Sequence, residues 1–127
     1  MVGLTGTSEN KSNNFKGYRK RKPLEERIKI AKSVLKKFSN HIPLIIEDSK
    51  GETIKTITPL NVTVGHLVAS LRLCKKIHES KAIFFFTDTS RMLRVSDSIN
   101  ELYSRYKDPL DNILYLTLHE ETTFGKR

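Results

Sequence analysis

Apolar residues recur at Leu24, Ile28, Ala31, Leu35 and Phe38, spaced four, three, four and three apart. That period places them on one stripe of an amphipathic helix. Pro23 is suited to open the helix, because its ring pre-sets φ and the first turn needs no N–H from it. Glu25 and Glu26 in the first turn and Lys36 and Lys37 in the last complement the helix dipole. Ile30 and Val34 lie four apart and off the main stripe. They form a second, smaller apolar strip that a core does not obviously need.

The period then changes to two. His41 to Glu47, HIPLIIE, reads as a strand with Ile42, Leu44 and Ile46 on one face and Pro43 and Ile45 on the other. Pro43 removes a ladder donor, which points to an edge or an exception there. Asp48-Ser49-Lys50-Gly51 is turn chemistry, and Glu52 to Thr58 is a second β-rich run. Together they predict a hairpin. Lys55 and Ile57 fall on one of its faces, and Ile54, Thr56 and Thr58 on the other.

Pro59-Leu60-Asn61 breaks the pattern. Thr63 is a good N-cap, with Val62 and Leu67 placed as a hydrophobic staple. Val64, Leu67, Val68, Leu71 and Cys74 form the core face of the helix that follows, and Lys75 and Lys76 close its last turn. Ala82 to Thr87, with Phe84-Phe85-Phe86, is a continuous apolar run, the mark of a strand buried on both faces. Ser98 and Glu101 make a capping box before a short helix. Asp108 to Asn112 is a turn, and Ile113 to His119 the last strand. Residues from Glu120 onward have no reason to stay in a sheet. The order is helix, β, β, helix, β, short helix, β and a loose tail. That is an α+β roll, the β-grasp order of ubiquitin-like domains, with an added N-terminal helical segment.

Composition narrows the function classes. At 127 residues the chain has room for one core. Charged residues are 29%, and no apolar run approaches the ~18–20 residues of a membrane span. The polar start, MVGLTGTSENKSNN, has no apolar region typical of a secretory signal. Residues 1–14 cannot bury enough to order themselves and are expected to be disordered. The expected division is a basic extension over 1–18, a domain over 19–120 and a free tail over 121–127. The net charge is +9. Between residues 1 and 22, Lys11, Lys16, Arg19, Lys20, Arg21 and Lys22 face only Glu9. Such a tail is a solvated segment or a site for RNA or anionic membrane. The lone Cys74, expected on an apolar helix side, is read as a small hydrophobe rather than a nucleophile. His41, His66, His78 and His119 lack ligand spacing, so no metal is expected. No phosphate loop or catalytic set is present, and neither a cofactor nor an enzymatic activity is expected.

The ordered stretches KRKPLEERIKIAKSVLKKF, HIPLIIE, PLNVTVGHLVASLR, KAIFFFTD, ELYSRYKD and ILYLTLHEETTFG run across residues 19–125. This set resembles the ubiquitin-like autophagy modifiers typified by GABARAP and light chain three. The resemblance implies that a cysteine protease cuts after Gly125, next to Phe124, and discards Lys126 and Arg127. It implies an activating enzyme that adenylates the Gly125 carboxylate with ATP. A conjugating enzyme would then join Gly125 to phosphatidylethanolamine. The chain would move from cytoplasm to the autophagosome membrane and recruit cargo receptors that carry a peptide motif. The free form is expected to be a monomer. A modifier conjugated to another protein is the neighbouring alternative.

The family binds peptides that add a strand to the second hairpin strand and drop two apolar side chains into two pockets. Carried over by position, pocket one is Ile30, Val34, Pro43, Ile45, Lys55, Ile57 and Ile113. Pocket two is Thr56, Thr58, Pro59, Val62, Leu67, Ser70 and Leu71. His41 stands where the family has a basic residue that meets acidic motif residues. Three departures bear on the ligand. Thr56 replaces an aromatic, Ser70 replaces an aliphatic, and only Lys55 remains of a lysine cluster. Pocket two is therefore expected to be shallower or more polar.

Overall fold

The computed structural model describes residues 4–7 and 17–122. In chain order the elements are β1 (Leu4–Thr7), α1 (Tyr18–Arg21), α2 (Leu24–Lys37), β2 (His41–Asp48) and β3 (Thr53–Pro59). Then come α3 (Val64–Lys75), β4 (Lys81–Thr87), α4 (Ile99–Tyr106) and β5 (Leu114–Thr122). The strands form one sheet in the order β1-β3-β2-β5-β4. β2 and β5 run parallel and the other neighbouring pairs antiparallel. This is the expected α+β ubiquitin-like roll, with one strand more than expected.

The hairpin forms where turn chemistry predicts it. The Asp48 carboxylate accepts the N–H groups of Lys50 and Glu52, both at 2.9 Å. Gly51 takes φ +91°, a conformation that only glycine adopts without strain. The Ser98 hydroxyl accepts the Glu101 N–H at 3.3 Å and caps α4. Thr63 is the N-cap of α3, yet its side chain makes no capping bond. Gly65 sits close under the next loop. Its N–H donates to the Val95 carbonyl at 2.9 Å, and a Cβ there would lie 3.3 Å from that oxygen.

Two apolar clusters form, one on each face of the sheet. The larger joins Ile42, Leu44 and Ile46 of β2 to Leu67 and Leu71 of α3, Phe85 of β4, and Ile99 and Leu102 of α4. The smaller joins Ile45, Ile113 and Tyr115 to Tyr18 of α1 and Ala31 of α2. The two-residue alternation of β2 therefore divides it between clusters as its sequence predicts.

Several expectations change. In α2 the buried residues are Arg27 and Ala31, while Leu24 and Leu35 are 36% and 38% exposed. The helix is turned so that an arginine enters the space assigned to leucine. Cys74 is exposed rather than on the core face of α3. β4 is an edge strand, so of its three consecutive phenylalanines only Phe85 is buried. Pro43 lies in the interior strand β2, but the β2–β5 ladder starts at Leu44↔Leu114. Pro43 therefore stands before the rungs that require a donor on that side. Residues 120–122 remain in the sheet, as Ile83↔Glu120, Ala82↔Glu121 and Lys81↔Thr122. Antiparallel pairing with β4 holds them where apolarity alone gives no reason to. Finally, Leu4–Thr7, inside the stretch expected to be disordered, pairs with β3 from Leu4↔Thr56 to Thr7↔Thr53.

Candidate functional site

β3 divides the residues assigned to the two pockets. Pro43 pairs with Ile57 and Ile45 with Lys55, so these four share the sheet face covered by α2. Ile113, fully buried, joins Ile45 and Ala31 there. Ile30 is 38% exposed on α2 and Val34 half-buried. Lys55 and Ile57 are half-buried, and the Lys55 ammonium lies 5.7 Å from the Tyr18 ring centre. The structure thus gathers the pocket-one residues on one face, where Ile30, Val34, Lys55 and Ile57 keep accessible surface and Pro43, Ile45 and Ile113 are buried.

Thr56 and Thr58 pair with Leu44 and Ile42, which puts them on the opposite face, beneath α3. Both threonines are buried, as are Leu67 and Leu71. Pro59, Val62 and Ser70 are half-buried. Leu67 and Leu71 belong to the main core, so this side presents little open apolar surface. His41, half-buried, pairs with Pro59 at the end of the hairpin strands far from the turn. Its Nδ1 donates to the Ser39 carbonyl at 2.9 Å, and its ring centre lies 6.2 Å from that of Phe38.

The two faces meet at the free side of β3, where β1 adds as a further antiparallel strand. β1 also comes up against α3, the helix that carries Leu67, Ser70 and Leu71.

The other candidate is the C-terminal end. β5 delivers the chain at Thr122, beside Lys81 and the Asp48–Gly51 turn. An open hollow of about 190 Å³ lies there, lined by Asp48, Ser49, Lys50, Lys81, Leu118 and Glu120. The Lys81 ammonium and the Glu120 carboxylate are 3.5 Å apart. Phe124, Gly125, Lys126 and Arg127 lie outside the described residues.

Sequence reasoning missed the groups that hold α1 and α2 to the sheet. The Arg27 guanidinium donates to the Asp111 carboxylate at 2.6 Å, and the Tyr115 hydroxyl donates to the same oxygen, also at 2.6 Å. The other Asp111 oxygen accepts the Ile113 N–H at 2.9 Å. Burial, and then the bond to Asp111, push the Tyr115 hydroxyl well above the ordinary tyrosine range. Arg19 adds a second tie. Its guanidinium stacks 4.0 Å from the Tyr115 ring centre and pairs with Asp108 at 3.0 Å and Asp88 at 3.2 Å. An arginine in the first turn of a predicted helix and an aspartate in a predicted turn carry no sign, taken singly, that they meet. These groups tie elements together: the Asp111 carboxylate joins Arg27 of α2 to Tyr115 of β5. Among the described residues no group of three His, Cys, Asp or Glu side chains is placed to hold a metal ion. Among the same residues no helix is long and apolar enough to cross a membrane.

Comparison with known proteins places the whole arrangement. The family model described as autophagy protein Atg8, ubiquitin-like, matches residues 26–125. Autophagy-related protein 8 of Dictyostelium discoideum is 32% identical over 110 residues, covering 81% of this chain and 88% of the relative. Protein lgg-2 of Caenorhabditis elegans is 29% identical over 115 residues, covering 85% of this chain and 88% of the relative. The crystal structure of Trypanosoma brucei ATG8 superposes with a TM-score of 0.78 at 30% identity, covering 88% of this chain and all of that one.

Proposed function

The chain belongs to the Atg8 family of ubiquitin-like autophagy proteins, and from that premise we propose that it is a modifier trimmed after Gly125 and conjugated through that glycine to phosphatidylethanolamine. The observation that carries this is the reach of the family match, which extends through Gly125 and leaves Lys126 and Arg127 beyond it. The chain performs no catalysis in this reading. It supplies a carboxylate to a cysteine protease, then to activating-like and conjugating-like enzymes. Glycine suits the role because it has no side chain to obstruct a narrow active-site cleft. β5 ends at Thr122, three residues before Gly125. That is a reach of roughly 10 Å when extended. The enzymes must therefore approach the end of the sheet closely. Once conjugated, the chain is held on the autophagosomal membrane.

On that membrane it recruits partners through a peptide strand added to β3. The geometry supports a definite spacing. The pocket-one residues lie on the α2 face and Thr56 and Thr58 on the α3 face. Side chains of an added strand alternate between faces. Its two apolar anchors are therefore an odd number of positions apart, and we take three as that spacing. Thr56 and Ser70 make the second pocket the more polar one, so the first anchor carries most of the affinity.

The test is the intact mass of the tagged chain recovered from its own cells with autophagy induced. Loss of Lys126-Arg127, together with a form heavier by a phosphatidylethanolamine, is expected. Gly125→Ala is expected to abolish the second form. A protein-sized adduct at Gly125 moves the chain to the protein-conjugated class. Retention of Lys126-Arg127 on every molecule refutes the processing step.

A further inference from the structure

The side of β3 that a peptide strand needs is not vacant. Leu4–Thr7 pairs with it along Thr53 to Thr56. A strand has one row of N–H and C=O groups on each side. The inner row of β3 serves β2, and the outer row serves β1. A second strand of either direction cannot use the outer row while β1 is there. We infer that the N-terminal segment is an intramolecular competitor for the peptide site, a strap that must leave before a partner's strand can add to β3. This inference rests on the peptide-docking reading proposed above.

Three features of the chain suit a strap that holds and releases. The first is its tether. Thr7 stands opposite Thr53, and Thr53 opposite Glu47. Nine residues separate Thr7 from Gly17, and the residue after Gly17, Tyr18, donates its N–H to the Glu47 carboxylate. Both ends of that connection therefore lie at the same end of the sheet, about two strand spacings or ~10 Å apart. A link of that length gives an effective concentration on the order of millimolar. The second is the strap's weakness. It has four residues and, among the described residues, no strand on its far side. One of the four is Gly6, which costs a strand about 0.5–1 kcal/mol relative to alanine. A segment this short is held by its tether, so it competes without blocking permanently. The third is its place. β1 reaches α3, so it runs past the helix that carries the second pocket, while its pairing ends at Thr56.

Occupation of the β3 edge lowers the apparent affinity for a peptide by the fraction of molecules in which the edge is free. Removing the strap is therefore expected to tighten peptide binding on the order of tenfold. Three forms of the protein decide the question: the full chain, the chain lacking residues 1–14, and Thr5→Pro/Gly6→Pro. The paired prolines remove two neighbouring N–H groups, so one ladder donor is lost whichever of them faces β3. The first readout is amide hydrogen exchange at Thr53, Ile54, Lys55 and Thr56. In the full chain all are expected to be protected. In the other two forms the alternate amides facing the vacated edge are expected to exchange at least about tenfold faster, the rest staying unchanged. The second readout is titration with a synthetic ten-residue peptide that carries Trp and Leu three positions apart between acidic flanks.

Faster exchange together with tighter binding in both altered forms supports the strap. Equal exchange in all three forms overturns it, whatever the peptide does. Faster exchange with unchanged peptide affinity also overturns it as a competitor, and leaves the peptide-docking reading standing. If no form binds the peptide, the docking reading fails and the competition falls with it. The exchange data then still report whether Leu4–Thr7 pairs with β3.

Discussion

Beneath α3 and α4 the sheet buries Ile42, Leu44, Ile46, Leu71 and Phe85 against Ile99 and Leu102. Beneath α1 and α2 it buries Ile45 and Ile113 beside Arg27, Asp111 and Tyr115. The first face is held chiefly by apolar area and, among the described residues, buries no charge pair, with the threonines Thr56 and Thr58 among its buried polar side chains. The second has a small apolar cluster with an ion pair and a tyrosine hydroxyl set into it. The two faces should therefore fail differently. An apolar face loses stability in proportion to the volume removed. A face with a buried charge pair loses most when one partner is left alone.

Phe85→Ala has the largest expected effect, about 3–5 kcal/mol, through the cavity it leaves in the larger cluster. Urea denaturation checks it, and a loss under about 1.5 kcal/mol would mean that this face repacks freely. Arg27→Met comes next, at about 3 kcal/mol, because Asp111 keeps its charge and loses its cation. Arg27 retains slight solvent exposure, which puts the cost at the low end for a buried pair. A companion Arg27→Met/Asp111→Leu variant should recover much of the loss. If the double variant is no better than the single, the pair is not what anchors α2.

The third distinction is pH. The Tyr115 hydroxyl is held above its ordinary range by burial and by Asp111. In the unfolded chain tyrosine loses its proton near pH 10, whereas in the folded chain Tyr115 keeps it. The folded state therefore binds more protons above that pH, and the stabilisation present below pH 10 is lost as pH rises. For one such group the loss reaches about 1.4 kcal/mol by pH 11. Tyr115→Phe should show that much less alkaline destabilisation than the natural chain. Matching slopes from pH 9 to 11 would mean that Tyr115 ionises freely in the fold. On the other face the hydroxyl of Tyr103, packed against the larger cluster, is also raised by burial but makes no hydrogen bond to Asp111, so Tyr115 is the group that the substitution isolates.

How much of each face could be read from the sequence follows from the same contrast. Ile42, Leu44 and Ile46 announce one face by period two, and Leu67 and Leu71 by helical spacing. The elements that build the larger core were legible for that reason. The other face was not, because its organising contact joins Arg27 to Asp111, 84 positions away in the chain. No local period encodes such a pair, and in its absence the leucines of α2 were the natural candidates for burial. β1 was missed on similar grounds. Its four residues satisfy backbone groups of β3, and backbone pairing leaves little trace in side-chain polarity. The pocket residues were assigned by family resemblance, and the structure adds what resemblance lacked, the strand that already lies along their edge. Gly125 is legible only as a position in the family pattern.

The smallest expected effect tests the orientation of α2 most directly. If Leu24, Ile28, Ala31, Leu35 and Phe38 formed the buried stripe, Leu24→Ser and Leu35→Ser would each cost about 2 kcal/mol or more, as deletions of buried leucines do. In the structure both leucines are partly exposed, and Ala31 is 1% exposed. Each leucine substitution is then expected to cost about 0.5 kcal/mol or less. Ala31→Leu, by contrast, should cost about 1–3 kcal/mol by forcing a larger side chain between Tyr18, Ile45 and Tyr115. The ranking matters more than either value, because the two orientations of the helix invert it. Denaturation midpoints showing the serine variants weaker than Ala31→Leu would rotate α2 back onto its leucines. That result would also remove Arg27 from Asp111, so the Arg27→Met result must change with it.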